Sequence, residues 1–468
     1  MSRRLASLCV ITVLLVFTFS TLLKVQKVEA AGTIYIRADG SIYPPTANIT
    51  CADNVTYCFS GNNYDSIIVE RNNIIIDGNG YVLQGSGSGN GFYLSSISNM
   101  TIRRMSICNF VNGILLLNSS YNFLHENTIA GTHGSMSSAG IRVLQSSSHN
   151  NVSKNTMVEN FGAIYLTSSA NHNMISNNNM TNNGIGLAIS DECSYNIVYG
   201  NNIADNIDGI RLEDSSLYNI ISTNAISNNH WGIEGGDSLN NSIYHNSFET
   251  NEFQTYQYGT TINIWDDGYP SGGNYWSDYI GVDLKSGFYQ NESGSDGIGD
   301  TSHTIDIDNV DHYPLMGPIS FFDAGTWNDT TYYVDVMSNS TLSHFHFDPD
   351  EGAFMSFWVK GETTNETIGF CRVAIPKDLL WVEDGWTVLY GSYPLNYTEF
   401  SDENCTYLYF TYTTPPSNGY TTVTINGTNV IPEFPSFLIL LLCMTASLLA
   451  MAICKRRKRF HSKSLVSG

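Results

Sequence analysis

Several groups of side chains in this chain of 468 residues have the types and spacing to do chemistry. Arg142, Tyr165, Ala188, Arg211 and Glu234 recur at intervals of 23 residues. A face built of guanidinium, phenol and carboxylate groups could stack on a sugar ring and hydrogen-bond its hydroxyls. Arg211 is followed closely by Glu213 and Asp214, the nearest approach in the chain to carboxylates beside a base. Asp296, Asp300, Asp306 and Asp308, in the run SDGIGDTSHTIDID, offer hard oxygen ligands among glycines that permit tight wrapping. That chemistry suits calcium, although the spacing is not that of an EF-hand and the bidentate glutamate is missing. Asp266 and Asp267 are adjacent carboxylates, and His344 and His346 place two imidazoles at strand spacing. Copper prefers imidazole, thioether and thiolate donors. His125, His172, His230 and His245 share no register, so copper is not expected.

The elements that must position these residues follow from a repeat of 23 residues between Gly140 and Gly236. Three registers carry asparagine: Asn150, Asn173, Asn196 and Asn219; Asn155, Asn178, Asn201 and Asn224; Asn160, Asn183, Asn206 and Asn229. Four registers are apolar, among them Ile141, Ile164, Leu187, Ile210 and Ile233, and Val152, Ile175, Val198 and Ile221. Each repeat holds three short pieces with the two-residue alternation of strands, as in GIRLED from Gly209 to Asp214, and pieces of about five residues are too short for helices. Coils of three short strands, stacked in parallel, turn each apolar register into an internal ladder. The pattern predicts an all-β, right-handed parallel β-helix of about eight or nine coils. Asparagine would serve at its corners, since it tolerates the left-handed conformation and can form amide ladders. Asn122 and Asn127 lie 28 residues before Asn150 and Asn155, which predicts a five-residue insertion hosted by a loop at Gly131 to Ser137.

With TIYIRADGSI and IIIDGNGYVLQG at its start, N-x-I-x-x-N coils, and WDDGYPSGGNYWSDYIGVDLKSGFYQNESGSDGIGDT at Trp265 to Thr301, the chain resembles parallel β-helix proteins related to the periplasmic copper-binding protein NosD. The likeness covers about residues 33 to 318. It implies a β-helix over 32–264 and a capping segment over 265–318 that seals the last coil. After Pro318, segments such as TYYVDVMS and YLYFTYT predict a β-sandwich over 319–430. IPEFPS, followed by an apolar span and a basic tail, resembles the PEF-type sorting signal of archaeal surface proteins, in a segment over 431–459 with 460–468 beyond it.

Charge and hydropathy frame these domains. Arg3 and Arg4 precede an uncharged stretch that reads as a signal peptide over residues 1–31. Ser436 to Cys454 is long enough for one transmembrane helix, and Lys455 to Arg459 would hold the tail in the cytoplasm. Between 33 and 434 lie 42 of the 43 acidic residues and 11 of the 21 basic ones, a formal charge of −31. Such a surface repels nucleic acid and anionic membranes, and it attracts cations or serves solubility. In an oxidising exterior, Cys51 could pair with Cys58, and Cys371 with Cys405. Glycosylation sequons begin at Asn48, Asn54, Asn99, Asn118, Asn151, Asn179, Asn240, Asn291, Asn328, Asn339, Asn365, Asn396, Asn404 and Asn426.

These features lead us to expect a secreted, membrane-anchored, glycosylated surface protein that binds polysaccharide or another envelope glycan without catalysis. Arg142, Tyr165, Arg211, Glu213 and Glu234 are its candidate contacts, with calcium as its candidate metal. A polysaccharide lyase or glycoside hydrolase working on the outer face is the alternative, and a copper-handling accessory protein a further one.

Overall fold

The computed structural model describes residues 32–327, 330–361, 367–415 and 419–431. The signal segment, the transmembrane span with its basic tail, and the sequons at Asn328 and Asn365 lie outside the described residues. Regular structure among the described residues is all β. The chain divides into two compact units, one running to Ile220 with Ala225–Asn241 and Thr250–Ile262, the other holding Ile221–Asn224, Ser242–Glu249 and the chain from Asn263 onward.

The first unit is the parallel β-helix, its strands forming ladders between successive coils. Ile141, Ile164, Leu187, Ile210 and Ile233 are register partners in one ladder, and all are essentially excluded from water. Val152, Ile175 and Val198 form a second ladder, and Met157, Met180, Ile203 and Ile226 a third. Each such side chain contributes about 1.5–3 kcal/mol relative to exposure, and repetition makes the core continuous along the axis.

The asparagines sit differently from the sequence expectation. The left-handed residue is the one before each: Tyr218, Thr223 and Asn228 have φ of 56°, 53° and 54°, while Asn219, Asn224 and Asn229 are buried. That bend turns the asparagine inward, where its amide meets its counterparts. Asn178 shows the arrangement. Its Nδ2 donates to Asn201 Oδ1 at 3.0 Å and to the Val152 carbonyl at 2.8 Å. Its Oδ1 accepts from the backbone N–H and the Nδ2 of Asn155, both at 3.0 Å. Two donors and two acceptor sites are thus filled with none left over, the condition for burying an amide at low cost. The 28-residue step is absorbed as expected: Asn122 and Asn127 bond Asn150 and Asn155 directly, and the extra residues leave the coil after Thr132.

Within the second unit, Tyr275–Trp276 pairs in parallel with Ser247–Glu249, and Asn246 donates to Asn274, adding a step to the amide ladder. Trp276 stacks on Phe248 with centroids 4.3 Å apart. Its Nε1 donates to Asp311 at 2.8 Å, and Trp265 Nε1 donates to Asn309 at 3.0 Å. The segment therefore covers a coil strand with buried indoles. Beyond it, two five-stranded antiparallel sheets share one core that includes Val334, Val336, Phe357, Val373, Phe410 and Ile425.

Neither expected disulfide forms, and the six described cysteines are free. Cys371 faces Phe410 and Cys405 faces Pro376 on the neighbouring strand, a five-residue offset of about 17 Å at ~3.4 Å per residue, far beyond disulfide reach. Cys51 pairs with Tyr57 and Cys58 with Thr50 across a hairpin. Successive residues alternate faces, so the two thiols project from opposite sides.

Replacing Asn178 by alanine would strand the Asn155 amide donors and the Val152 carbonyl inside the core. At about 1–3 kcal/mol for each unsatisfied buried group, Asn178→Ala is expected to lose at least about 3 kcal/mol in equilibrium urea unfolding. A loss below about 1 kcal/mol would remove the ladder from the list of things that hold the coils together.

Candidate functional site

On the outward side of the sheet, Arg142, Tyr165, Ala188, Arg211, Glu234 and Tyr256 are successive register partners on six neighbouring strands, Ala139–Leu144 to Phe253–Tyr258. The alternation in Asp208–Glu213 explains the placement: Ile210 and Leu212 fill the interior, leaving Arg211 and Glu213 outside. Ala188, which breaks the row of long side chains, has a consequence that the row itself does not show. Its missing bulk leaves a cleft of about 450 Å³ between Tyr165 and Arg211, floored by Ala188 and flanked by Phe161, Ile185, Ile207 and Trp231. Met136 and Ser137, from the inserted loop, complete its lining.

Glycine lets two phenols lie close to the backbone, Tyr165 in the wall of the cleft and Tyr258 beyond it. A Cβ at Gly162 would collide with the Tyr165 ring, and one at Gly236 with the Tyr258 ring, so each phenol lies across a bare backbone. Tyr258 thereby reaches over to donate its hydroxyl to Glu213.

Arg211 is the electrostatic centre. It pairs closely with Asp208, meets Glu234 Oε2 at 3.0 Å and lies 3.8 Å from Glu213 Oε1. Three carboxylates around one guanidinium leave this end of the cleft negative. Burial raises Asp208 and Glu234 above the usual carboxylate range, with Arg211 opposing it. Burial likewise pushes the Tyr165 phenol up to about 12. Arg142 Nε, Tyr165 Oη, Thr167 Oγ1 and Asp208 Oδ1 are buried with no hydrogen-bond partner among the described residues. Unmade hydrogen bonds of this kind are costly.

The structure thus brings together Arg142, Tyr165, Arg211, Glu213 and Glu234. Asp214 is absent from the lining, being an exposed turn residue with φ of 54°, and Asp208 stands on Arg211 instead. Asp208 was detectable as a carboxylate in a column otherwise filled by Ala139, Gly162, Ile185 and Trp231. The other candidates have separate duties. Asp300 accepts the amides of Leu284 and Lys285, Asp306 those of Asp308 and Asn309, and Asp296 that of Ile298. Asp266 accepts from His312, and Asp267 from Ser271. His344 stacks on Trp358, and His346 bonds Glu351. Among the described residues, no three His, Cys, Asp or Glu side chains are grouped to hold a metal ion.

A second outward row went unnoticed in the sequence although its spacing was visible. Tyr121, His149, His172, Tyr195 and Tyr218 stack along one corner, with consecutive centroids from 4.8 to 5.4 Å apart. Because those rings spend their faces on one another, they offer a ligand mainly edges.

Fold and face together define a parallel β-helix protein with an aromatic-walled cleft on its outer surface. The chain belongs to the NosD family: the model described as periplasmic copper-binding protein (NosD) matches residues 24–160 and 72–281. Among the described residues His344 stacks on Trp358 and His346 bonds Glu351, so the two imidazoles of that strand have different neighbours. No curated protein matches the chain in sequence. Among solved structures, the chain is similar to the periplasmic alginate epimerase AlgG, at 14% identity and a TM-score of 0.36 over 54% of this chain and 74% of that one. It is also similar to a tailspike protein variant of E. coli bacteriophage HK620 in complex with a pentasaccharide, at 10% identity and a TM-score of 0.36 over 79% and 75%. An alginate lyase from Paenibacillus sp. str. FPU-7 aligns at 14% identity and a TM-score of 0.29 over 46% and 91%.

The raised carboxyls make a pH prediction. A carboxyl whose pKa is higher folded than unfolded favours the native state while it is protonated, and that advantage fades as pH rises from the unfolded value, 3.8 for Asp208, through the folded one. Urea midpoints of the wild type should therefore decline across that window, and Asp208→Asn should flatten the decline. Parallel curves for the two proteins would show that Asp208 does not titrate abnormally.

Proposed function

We propose that the outer cleft binds a segment of polysaccharide and that this protein is a surface-anchored glycan-binding protein. One observation carries the reading: a cleft walled by Phe161, Tyr165 and Trp231 lies beside a charged Arg211 cluster. Aromatic side chains suit the apolar faces of sugar rings, and guanidinium and carboxylate groups suit their hydroxyls. Placement at the cell surface rests on the signal-like N-terminus, the apolar span before Lys455 and the sequons.

Catalysis is the second reading, favoured by Asp208. Its Oδ1 is free while Tyr165 and Glu234 stand nearby with raised pKa values, a setting in which one group can hold a proton and another accept it. Incubating the purified protein with a panel of oligosaccharides, with and without calcium, separates the two. Quenching or enhancement of tryptophan fluorescence that is lost in Trp231→Ala, with no change in the glycan, is the expected result. Release of shortened or unsaturated products without retained binding would overturn the binding reading in favour of a lyase or hydrolase.

A further inference from the structure

The cleft has two electrostatic ends, and they are unlike. Arg211 is surrounded by Asp208, Glu213 and Glu234. The Arg142 guanidinium has no hydrogen bond and no ion pair among the described residues, its Nε is buried, and the register partners of Arg142 on either side are the uncharged Leu115 and Tyr165. In a chain with 43 acidic residues against 21 basic ones, a half-buried cation is not left bare for want of carboxylates. A charge taken from water without a partner is destabilising, and burial accordingly lowers the pKa of this guanidinium. Arg142 therefore has the properties of a residue whose counter-ion arrives with the ligand. A planar, permanently charged fork of donors suits an oxyanion above all.

We propose, resting on the glycan-binding reading, that the cleft selects acidic polysaccharide, with Arg142 receiving the carboxylate or sulfate of one sugar unit while hydroxyls of the units beyond it meet Tyr165 and the Arg211 cluster. The three carboxylates do not forbid this. Three coil steps of ~4.8 Å put the Arg211 row about 14 Å from Arg142. An anion docked on Arg142 is in direct contact with its partner and several times farther from its repellers, whose charge Arg211 partly offsets. The polarity also sets a direction, because an anionic unit at the Arg211 end would meet excess negative charge at close range.

The test is a fluorescence titration of the full chain with three probes of equal length: hexagalacturonate, a heparin-derived hexasaccharide and maltohexaose. The wild type is expected to bind at least one acidic probe about tenfold or more tighter than the neutral one, as one charge-assisted contact allows, with the margin shrinking as salt rises. Arg142→Gln should bring the acidic and neutral affinities together, and Arg142→Lys should restore part of the preference. A margin kept by the heparin fragment alone points to sulfate, and one kept by hexagalacturonate to carboxylate. A melting temperature for Arg142→Gln equal to or above that of the wild type is expected, since no native partner is lost; a lower one would show that Arg142 has a structural partner and would overturn the proposal. Equal acidic preference in wild type and Arg142→Gln would overturn it as well. Binding of maltohexaose without preference for either acidic probe would overturn this inference while leaving the glycan-binding reading intact. Failure of all three probes would overturn both.

Discussion

The hydrogen bonds between stacked asparagine amides are the constraint on which the β-helix depends. Each ladder amide links three coils: its Nδ2 reaches a carbonyl of one neighbour and the Oδ1 of the other, and its own Oδ1 accepts from the coil before. No other side chain does this at that size. Aspartate would lack both donors and stack like charges, serine has a single donor, and glutamine adds a methylene that the corner has no room for. Since each amide fixes the position of the next, register is transmitted along the axis, and the apolar columns between the corners pack in phase as a result.

Exact stacking on the inside dictates what can happen outside. Outward side chains inherit the coil spacing, so Arg142, Tyr165, Arg211 and Glu234 are brought into one row although 92 residues separate the first from the last. The same spacing turns every small residue into a local hollow. Ala188 opens the cleft, and Gly162 and Gly236 let phenols lie flat where a Cβ would block them. The rigid scaffold tolerates buried groups without partners here because the inner ladders supply the stability that the cleft forgoes.

A fold can host many functions, so the side chains of the site carry the functional argument. The side chains gathered in the cleft of this chain include guanidinium, carboxylate, phenol, indole and one thioether, that of Met136. The polar groups among them recognise hydroxyls and oxyanions. His149 and His172 do fall into register, stacked face to face with each other and with tyrosines along one corner.

The sequence by itself determined the period, the identity of the buried columns, the presence of an amide ladder, the position of the inserted loop and the outward row from Arg142 to Glu234. All of these are properties of spacing, and spacing survives translation along an axis. Tertiary structure alone decided the rest. Strict alternation puts Asp208 inside with Ile210 and Leu212, yet the strand ladder passes from Asp208 to Ile210 without pairing Gly209, and Asp208 closes on Arg211. The left-handed bend falls one residue earlier than the asparagine it serves, because the asparagine must turn inward to reach its neighbours. The cysteine pairs failed for a related reason: which residues face one another across antiparallel strands depends on register, and in the pairing of Ile368–Pro376 with Cys405–Thr413 that register separates Cys371 from Cys405 by five residues. Period is written in the chain, whereas register between distant strands is settled only when they pack.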